Sequence, residues 1–327
     1  MAERRARVGD VELCYEAFGD PADPAMLLVM GLGTQMLGWH EELCEQLAGR
    51  GFHVIRFDNR DIGRSSRVSH VRPPTLLELL RHDRRTAGYS LSDMADDAVG
   101  LLDHLGIERA HVVGASMGGM IAQIVAIRHP ERVLSLVSIM ANTGGRWSGQ
   151  PALAVLPTFL RAAPRDREGY ADHMVKLYGA IGSRGLTVDR DDIRRAALAA
   201  YDRGVDRAGP ARQLAAIVAE RDRTPQLRRL RVPTLVIHGT ADRLVRPSGG
   251  RHTARAIPGA RLLTIEGMGH DLPRGAWPRI VDAIEDNAAR YSTASSTTMT
   301  ASTNRTAPAT AGCHWRRQKP GSARSRV

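Results

Sequence analysis

Cysteine is scarce in this 327-residue chain. Cys14, Cys44 and Cys313 show no metal-ligand spacing and cannot all pair. That points away from a disulfide scaffold or zinc centre and toward a reduced, cytoplasmic setting. Aromatic residues make up only 4% of the chain and no nucleic-acid motif is present, so a nucleic-acid partner is not expected. Lysine is nearly missing. Only Lys176 and Lys319 stand among 46 basic residues, so arginine carries the net charge of +11, which reads first as a residue bias rather than a binding surface. Long apolar runs are missing too: AMLLVMGLG and PALAVLPTFL are too short to span a bilayer. The opening MAERRARVGDVELCYEAF turns to strand-like alternation with no apolar h-region, so no signal peptide is expected.

What is present is an ordinary globular composition, 43% hydrophobic and 25% charged, with length for one large α/β domain or two smaller ones. Strand-like and helix-like stretches alternate from residue 8 to about 291. VELCYEAF (11–18) alternates as a half-exposed strand does, whereas AMLLVMG (25–31) and HVVGAS (111–116) are continuously apolar, as strands buried on both faces are. HVIRFD (53–58), VLSLVSIM (133–140), TLVIHG (234–239) and RLLTIEG (261–267) complete the strands. Helical spacing is expected near 38–49, 93–105, 118–128, 249–256 and 277–289. This rhythm predicts a mostly parallel sheet covered by helices on both faces. Residues 143–232 break it. They lack strand signals, carry Pro151, Pro157, Pro164 and Pro210, and are expected to form a helical cap between core segments 1–142 and 233–291. From Ser292 the chain turns Ser/Thr/Ala-rich and then basic, and 292–327 is expected to be a disordered tail.

The strongest chemical signal is VVGASMGG (112–119). Gly114, Ser116 and Gly118 fit the G-x-S-x-G elbow, with a buried strand before it and a helix after it. Small neighbours let the chain turn sharply and lift the serine oxygen to the sheet edge, beside a helix N-terminus with unpaired N–H groups. A nucleophilic serine needs a base, and the base an orienting acid. Among twelve histidines, His270 follows the last strand in the glycine-flanked EGMGH. Asp242 follows TLVIHG, again at a strand's carboxyl end. His238, inside that strand, reads as a satisfied core histidine.

These residues resemble an α/β-hydrolase over positions 8 to 290, and are similar to bacterial esterase/lipase-like members and the aclacinomycin methylesterase group. GDVELCYEAFGDPADPAMLLVMGLG, HVIRFDNRDIGRS, HVVGASMGGM, VPTLVIHGTAD and IEGMGH carry the resemblance. It implies Ser116 as nucleophile, His270 as base then acid, and Asp242 as the orienting carboxylate, with the Met117 N–H in an oxyanion hole. The second donor is expected from Leu32, with Gly33 as the alternative. Met30-Gly31 stands where many relatives carry His-Gly, and Arg60-Asp61 replaces a commoner Arg-Gly pair in a segment read as a structural turn.

Gly31, Gly33, Trp39, Met120 and Phe159 are expected in the pocket, and apolar cap residues imply a small-molecule ester with an apolar group. No metal or organic cofactor is expected. The predicted activity is serine carboxylic-ester hydrolysis through an acyl-enzyme. Carbon–carbon or lactone hydrolysis, or cofactor-free perhydrolysis, by the same triad is the alternative, and a non-catalytic binding protein on this scaffold is the alternative of another class.

Overall fold

The structure is a computed structural model that describes residues 2–75, 77–78, 88–186 and 189–303, with backbone alone from 292 onward. Residues 1–291 form one compact unit. Its centre is an eight-stranded sheet: β1 Arg4–Val8, β2 Val11–Phe18, β3 Ala25–Val29, β4 His53–Phe57, β5 Ala110–Ala115, β6 Val133–Ile139, β7 Thr234–Gly239 and β8 Arg261–Ile265. Their order is β1-β2-β4-β3-β5-β6-β7-β8. β2 pairs antiparallel with both β1 and β4, and every later pairing is parallel. Strand β1 is the element the patterning did not announce, because its RRARV reads as a charged run. Only Ala6 of it turns fully inward.

The continuous apolar runs are explained by burial on both faces. Along β3, Ala25, Leu27 and Val29 pack into one hydrophobic cluster, while Met26 and Leu28 pack into another across the sheet. On the first face lie α2 Leu91–His104 and α3 Met117–Arg128; on the second lie α1 Glu41–Ala48 and, through its residues from Trp277 to Ala288, α8 Trp277–Thr303. Helix α2 begins in a capping box, where the Ser90 side chain accepts from the Asp93 N–H and the Asp93 carboxylate accepts from the Ser90 N–H. Helix α8 outruns its expected end at Ala289, and no proline follows until Pro308. The remainder of the expected tail, from 304, lies outside the described residues, as does Cys313.

Residues 143–232 hold no strand among the described residues. Their helices are α4 Arg167–Ile181, α5 Arg190–Arg203 and α6 Gly209–Ala219, with single turns at Leu156–Phe159 and Thr224–Leu227. Helix α7, Ser248–Ala256, returns to the sheet. No described helix is long and apolar enough to cross a membrane.

Chain order reverses at β3: the chain steps from β3 to β4 on one side, then to β5 on the other. In a parallel sheet such a reversal opens a crevice beyond the carboxyl ends of the two strands, the favoured place for a ligand.

Candidate active site

Ser116 stands at that crevice, between β5 and α3, with φ 57° and ψ −120°. A non-glycine residue with positive φ is strained by about 1–3 kcal/mol and persists only where its surroundings fix it. Here the fixing is close packing. A Cβ on Gly114 would lie 2.1 Å from the Gly118 carbonyl oxygen, and one on Gly118 would lie 2.0 Å from that of Val29. The Ser116 N–H donates to the Ile139 carbonyl at 2.9 Å, tying the turn to the neighbouring strand.

The loop after β8 brings His270 to Ser116, and the loop after β7 brings Asp242 to His270. His270 Nδ1 lies 2.8 Å from Asp242 Oδ2, and His270 Nε2 lies 2.8 Å from Ser116 Oγ. The carboxylate can only accept, so Nδ1 carries the proton and Nε2 is free to accept from the serine hydroxyl. Asp242 is fixed by its own loop, since Oδ1 accepts from the Leu244 and Val245 N–H groups, each at 2.9 Å. Burial alone would raise its carboxyl, but the charge of His270 and hydrogen bonds from His238 and His270 draw it down to about 2.

His238 is more than a core histidine. Its Nε2 donates to the Val245 carbonyl at 2.7 Å and faces Asp242 Oδ2 at 3.4 Å, while its Nδ1 is buried without a partner against Gly250. The sequence signal was present, four residues ahead of Asp242, but nothing in one chain marks a strand histidine as facing a loop carboxylate.

The loop after β3 lies across from Ser116. A Cβ on Gly31 would stand 3.6 Å from Ser116 Oγ. Asn59 Nδ2 donates to the Met30 carbonyl at 2.8 Å. The Gly33 N–H, the alternative second donor, is already used: it donates to Gln213 Oε1 at 2.9 Å. Among the described residues, no loop or side-chain acceptor takes the Leu32 or Met117 N–H.

Asp58 to Ser65 serves as more than a turn. Asp58 accepts from the Met36 N–H at 2.8 Å and pairs with Arg203 of α5 at 2.6 Å. Asp61, at φ 71°, forms a two-point pair with Arg212 of α6 at 2.6 and 2.9 Å. The turn is thus a buried anchor for the helical insertion. The Asp in place of Gly hinted at this, but its cationic partners lie about 150 residues away in sequence.

These elements enclose a cavity of ≈ 1630 Å³ that includes Ser116 and His270. Gly31, Gly33, Met120 and Phe159 line it, with Met174, Leu177 and Leu214 from the insertion. Trp39 is a correction. It is fully buried and is not among the cavity-lining residues; it belongs to the apolar cluster that also holds Met26, Leu28 and Leu43. Its carbonyl accepts from Arg56, whose guanidinium is itself held by Glu16, and burial of its large apolar ring in that cluster keeps it out of the cavity.

A family model of the alpha/beta hydrolase fold matches residues 24–273. The chain is 31% identical over 303 residues to the rhodomycin D methylesterase DnrP of Streptomyces peucetius, covering 87% of this chain and 97% of that protein. It is 27% identical over 257 residues to 3-oxoadipate enol-lactonase 2 of Acinetobacter baylyi, covering 79% of this chain and 86% of that one. Among solved structures it resembles the enol-lactonase from Burkholderia xenovorans, with a TM-score of 0.64 at 25% identity, covering 89% of this chain and 100% of that one.

Proposed function

The chain belongs to the alpha/beta hydrolase family and is a hydrolase acting on ester bonds. From that premise we propose that it cleaves a small-molecule carboxylic ester through an acyl-enzyme on Ser116. The observation that carries this reading is the unbroken relay Ser116–His270–Asp242, with both contacts at 2.8 Å.

Ser116 Oγ attacks the ester carbonyl carbon as His270 Nε2 takes its proton. The developing oxyanion is met by the Met117 and Leu32 N–H groups, at the positive end of α3. The carbon–alkoxy bond then breaks. His270 returns the proton to the leaving alcohol, and Ser116 keeps the acyl group. Water enters, gives a proton to His270 and attacks the acyl carbon, and collapse releases the acid and restores Ser116. Asp242, ionised throughout the neutral range, holds the imidazole tautomer and faces the imidazolium formed in each half-reaction.

The substrate class follows from the cavity and the methylesterase relative: a compact alcohol, such as methanol, leaving from a bulky, largely apolar acid. A cavity of ≈ 1630 Å³ exceeds the roughly 300–1,000 Å³ usual for a small-ligand site, so it has room for a large acyl part. The enol-lactonase relative makes lactone opening the second reading.

A panel of p-nitrophenyl esters of rising acyl length, bulky methyl esters and a simple lactone tests this, with Ser116→Ala alongside. Wild type should prefer the bulky methyl esters, and the variant should lose roughly 10⁴- to 10⁶-fold in kcat. Equal activity of wild type and variant would end the triad reading. Preference for the lactone would replace the ester.

A further inference from the structure

Gln213 belongs to α6, in the insertion, yet it lies fully buried against two core loops. Its Oε1 accepts the Gly33 N–H at 2.9 Å and its Nε2 donates to the Arg60 carbonyl at 2.9 Å. One amide therefore bridges the loop after β3 and the loop after β4, satisfying a donor on the first and an acceptor on the second. The first turn of α6 is seated tightly around this bridge. A Cβ on Gly33 would lie 3.3 Å from Pro210, and one on Gly209 would lie 2.1 Å from the Asp61 carbonyl oxygen. Arg212, one residue earlier, grips Asp61.

We propose that Gln213 is a positioning residue for the oxyanion hole: by occupying the Gly33 N–H it sets the loop so that Leu32 supplies the second oxyanion donor, and it makes that donor depend on the insertion being docked. The inference rests on the Ser116 reading above. Gly33 has positive φ, +66°, a conformation in which successive peptide planes can turn either way with little penalty. Within the loop the Thr34 N–H closes a turn on the Gly31 carbonyl at 3.3 Å and the Thr34 hydroxyl donates to the Leu32 carbonyl at 3.2 Å, so the Gly33 N–H is the group left to tie this turn to the insertion. Asn59 on the Met30 carbonyl fixes the loop's entrance and Asp58 on the Met36 N–H fixes its exit. Gln213 fixes the peptide between them.

The experiment compares Gln213→Met and Gln213→Glu with wild type. It measures kcat and KM on an ester, Ki for a trifluoromethyl ketone that forms a tetrahedral adduct on the serine, and thermal unfolding. Met keeps the shape but neither hydrogen bond. It should lower kcat roughly 10- to 100-fold, the scale of a displaced oxyanion donor, leave KM within about twofold, and raise Ki in parallel with the loss of kcat/KM.

Glu keeps an acceptor for Gly33 but offers a donor to Arg60 only when protonated, and burial favours that form. Its activity relative to wild type should therefore climb as pH falls from about 8 to about 6, and the Met ratio should stay flat. Wild-type kcat and Ki in Gln213→Met, or a loss confined to KM or to melting temperature, would overturn the proposal. If the Met variant does not fold, a flat ratio for Gln213→Glu would overturn it. An active Ser116→Ala would instead remove the reading beneath it.

Discussion

Asp242 and His111 show how burial acts on a single titrating side chain. Asp242 has two backbone donors and two imidazoles around it, so despite burial it stays ionised and serves its neighbour. Among the described residues His111 has one side-chain hydrogen-bond partner, the Ser135 hydroxyl at 2.9 Å, and the apolar Phe52 ring beside it, edge to face; burial pushes its imidazole down to about 4. It is therefore neutral in the folded protein, whereas the unfolded chain protonates it near pH 6.5. Between those values the unfolded state binds more protons. The stability tied to neutral His111 is complete above about pH 6.5 and is lost as pH falls toward about 4, at up to about 1.4 kcal/mol per pH unit. Urea midpoints at pH 7 and pH 5 should separate strongly for wild type and less for His111→Leu. Equal separations would show that another group carries the acid sensitivity. At this scale, Ser116, Asp242 and His270 were legible because each follows a strand in a motif with a chemical reason. His238 and Gln213 were not, since their roles lie in partners brought together only by folding.

The elements divide the labour of holding those side chains. Strands β3, β5, β7 and β8 deliver the loop or turn residues at one sheet edge; β3, β5 and β7 were readable because burial on both faces leaves an unbroken apolar run, whereas β8 is an edge strand buried only at Ile265. The helical insertion then ties the loops down. Besides Gln213, the Ile181 carbonyl at the end of α4 accepts the His270 N–H at 2.8 Å, and Ser183 Oγ accepts the Gly269 N–H at 2.9 Å. The deeper tether is Asp61–Arg212, with Asp206 a further partner of the guanidinium at 3.1 Å. Removing one member of a buried pair leaves the other charge uncompensated, so Asp61→Asn should cost about 3 kcal/mol, the low end of the usual range because Asp206 remains. The double change Asp61→Asn with Arg212→Met, which keeps a residue suited to the positive φ and an acceptor for the Val68 N–H at 2.7 Å, should cost less than Asp61→Asn alone. Chemical denaturation of the three proteins checks this, and an unchanged midpoint for Asp61→Asn would contradict the anchoring role. Long-range pairing of this kind leaves no periodic trace, which is why the segment around Asp61 reads as a plain turn until it is folded.

For the molecule as a whole, the net charge of +11 misleads as a guide to function. Residues 292–327 hold six basic residues and no acidic one, more than half of that excess, and none of them belongs to the unit that carries Ser116. The unit of residues 1–291 assembles a strained serine, a two-contact relay and a largely apolar cavity where strand order reverses at β3. The central claim is that this serine becomes covalently acylated. Its most direct test is reaction with a fluorophosphonate followed by intact-mass measurement and peptide mapping. The expected result is one adduct per chain, on Ser116, appearing in step with loss of esterase activity and absent from Ser116→Ala. Full esterase activity in an unlabelled protein, or an adduct on another residue that tracks inactivation, would contradict it.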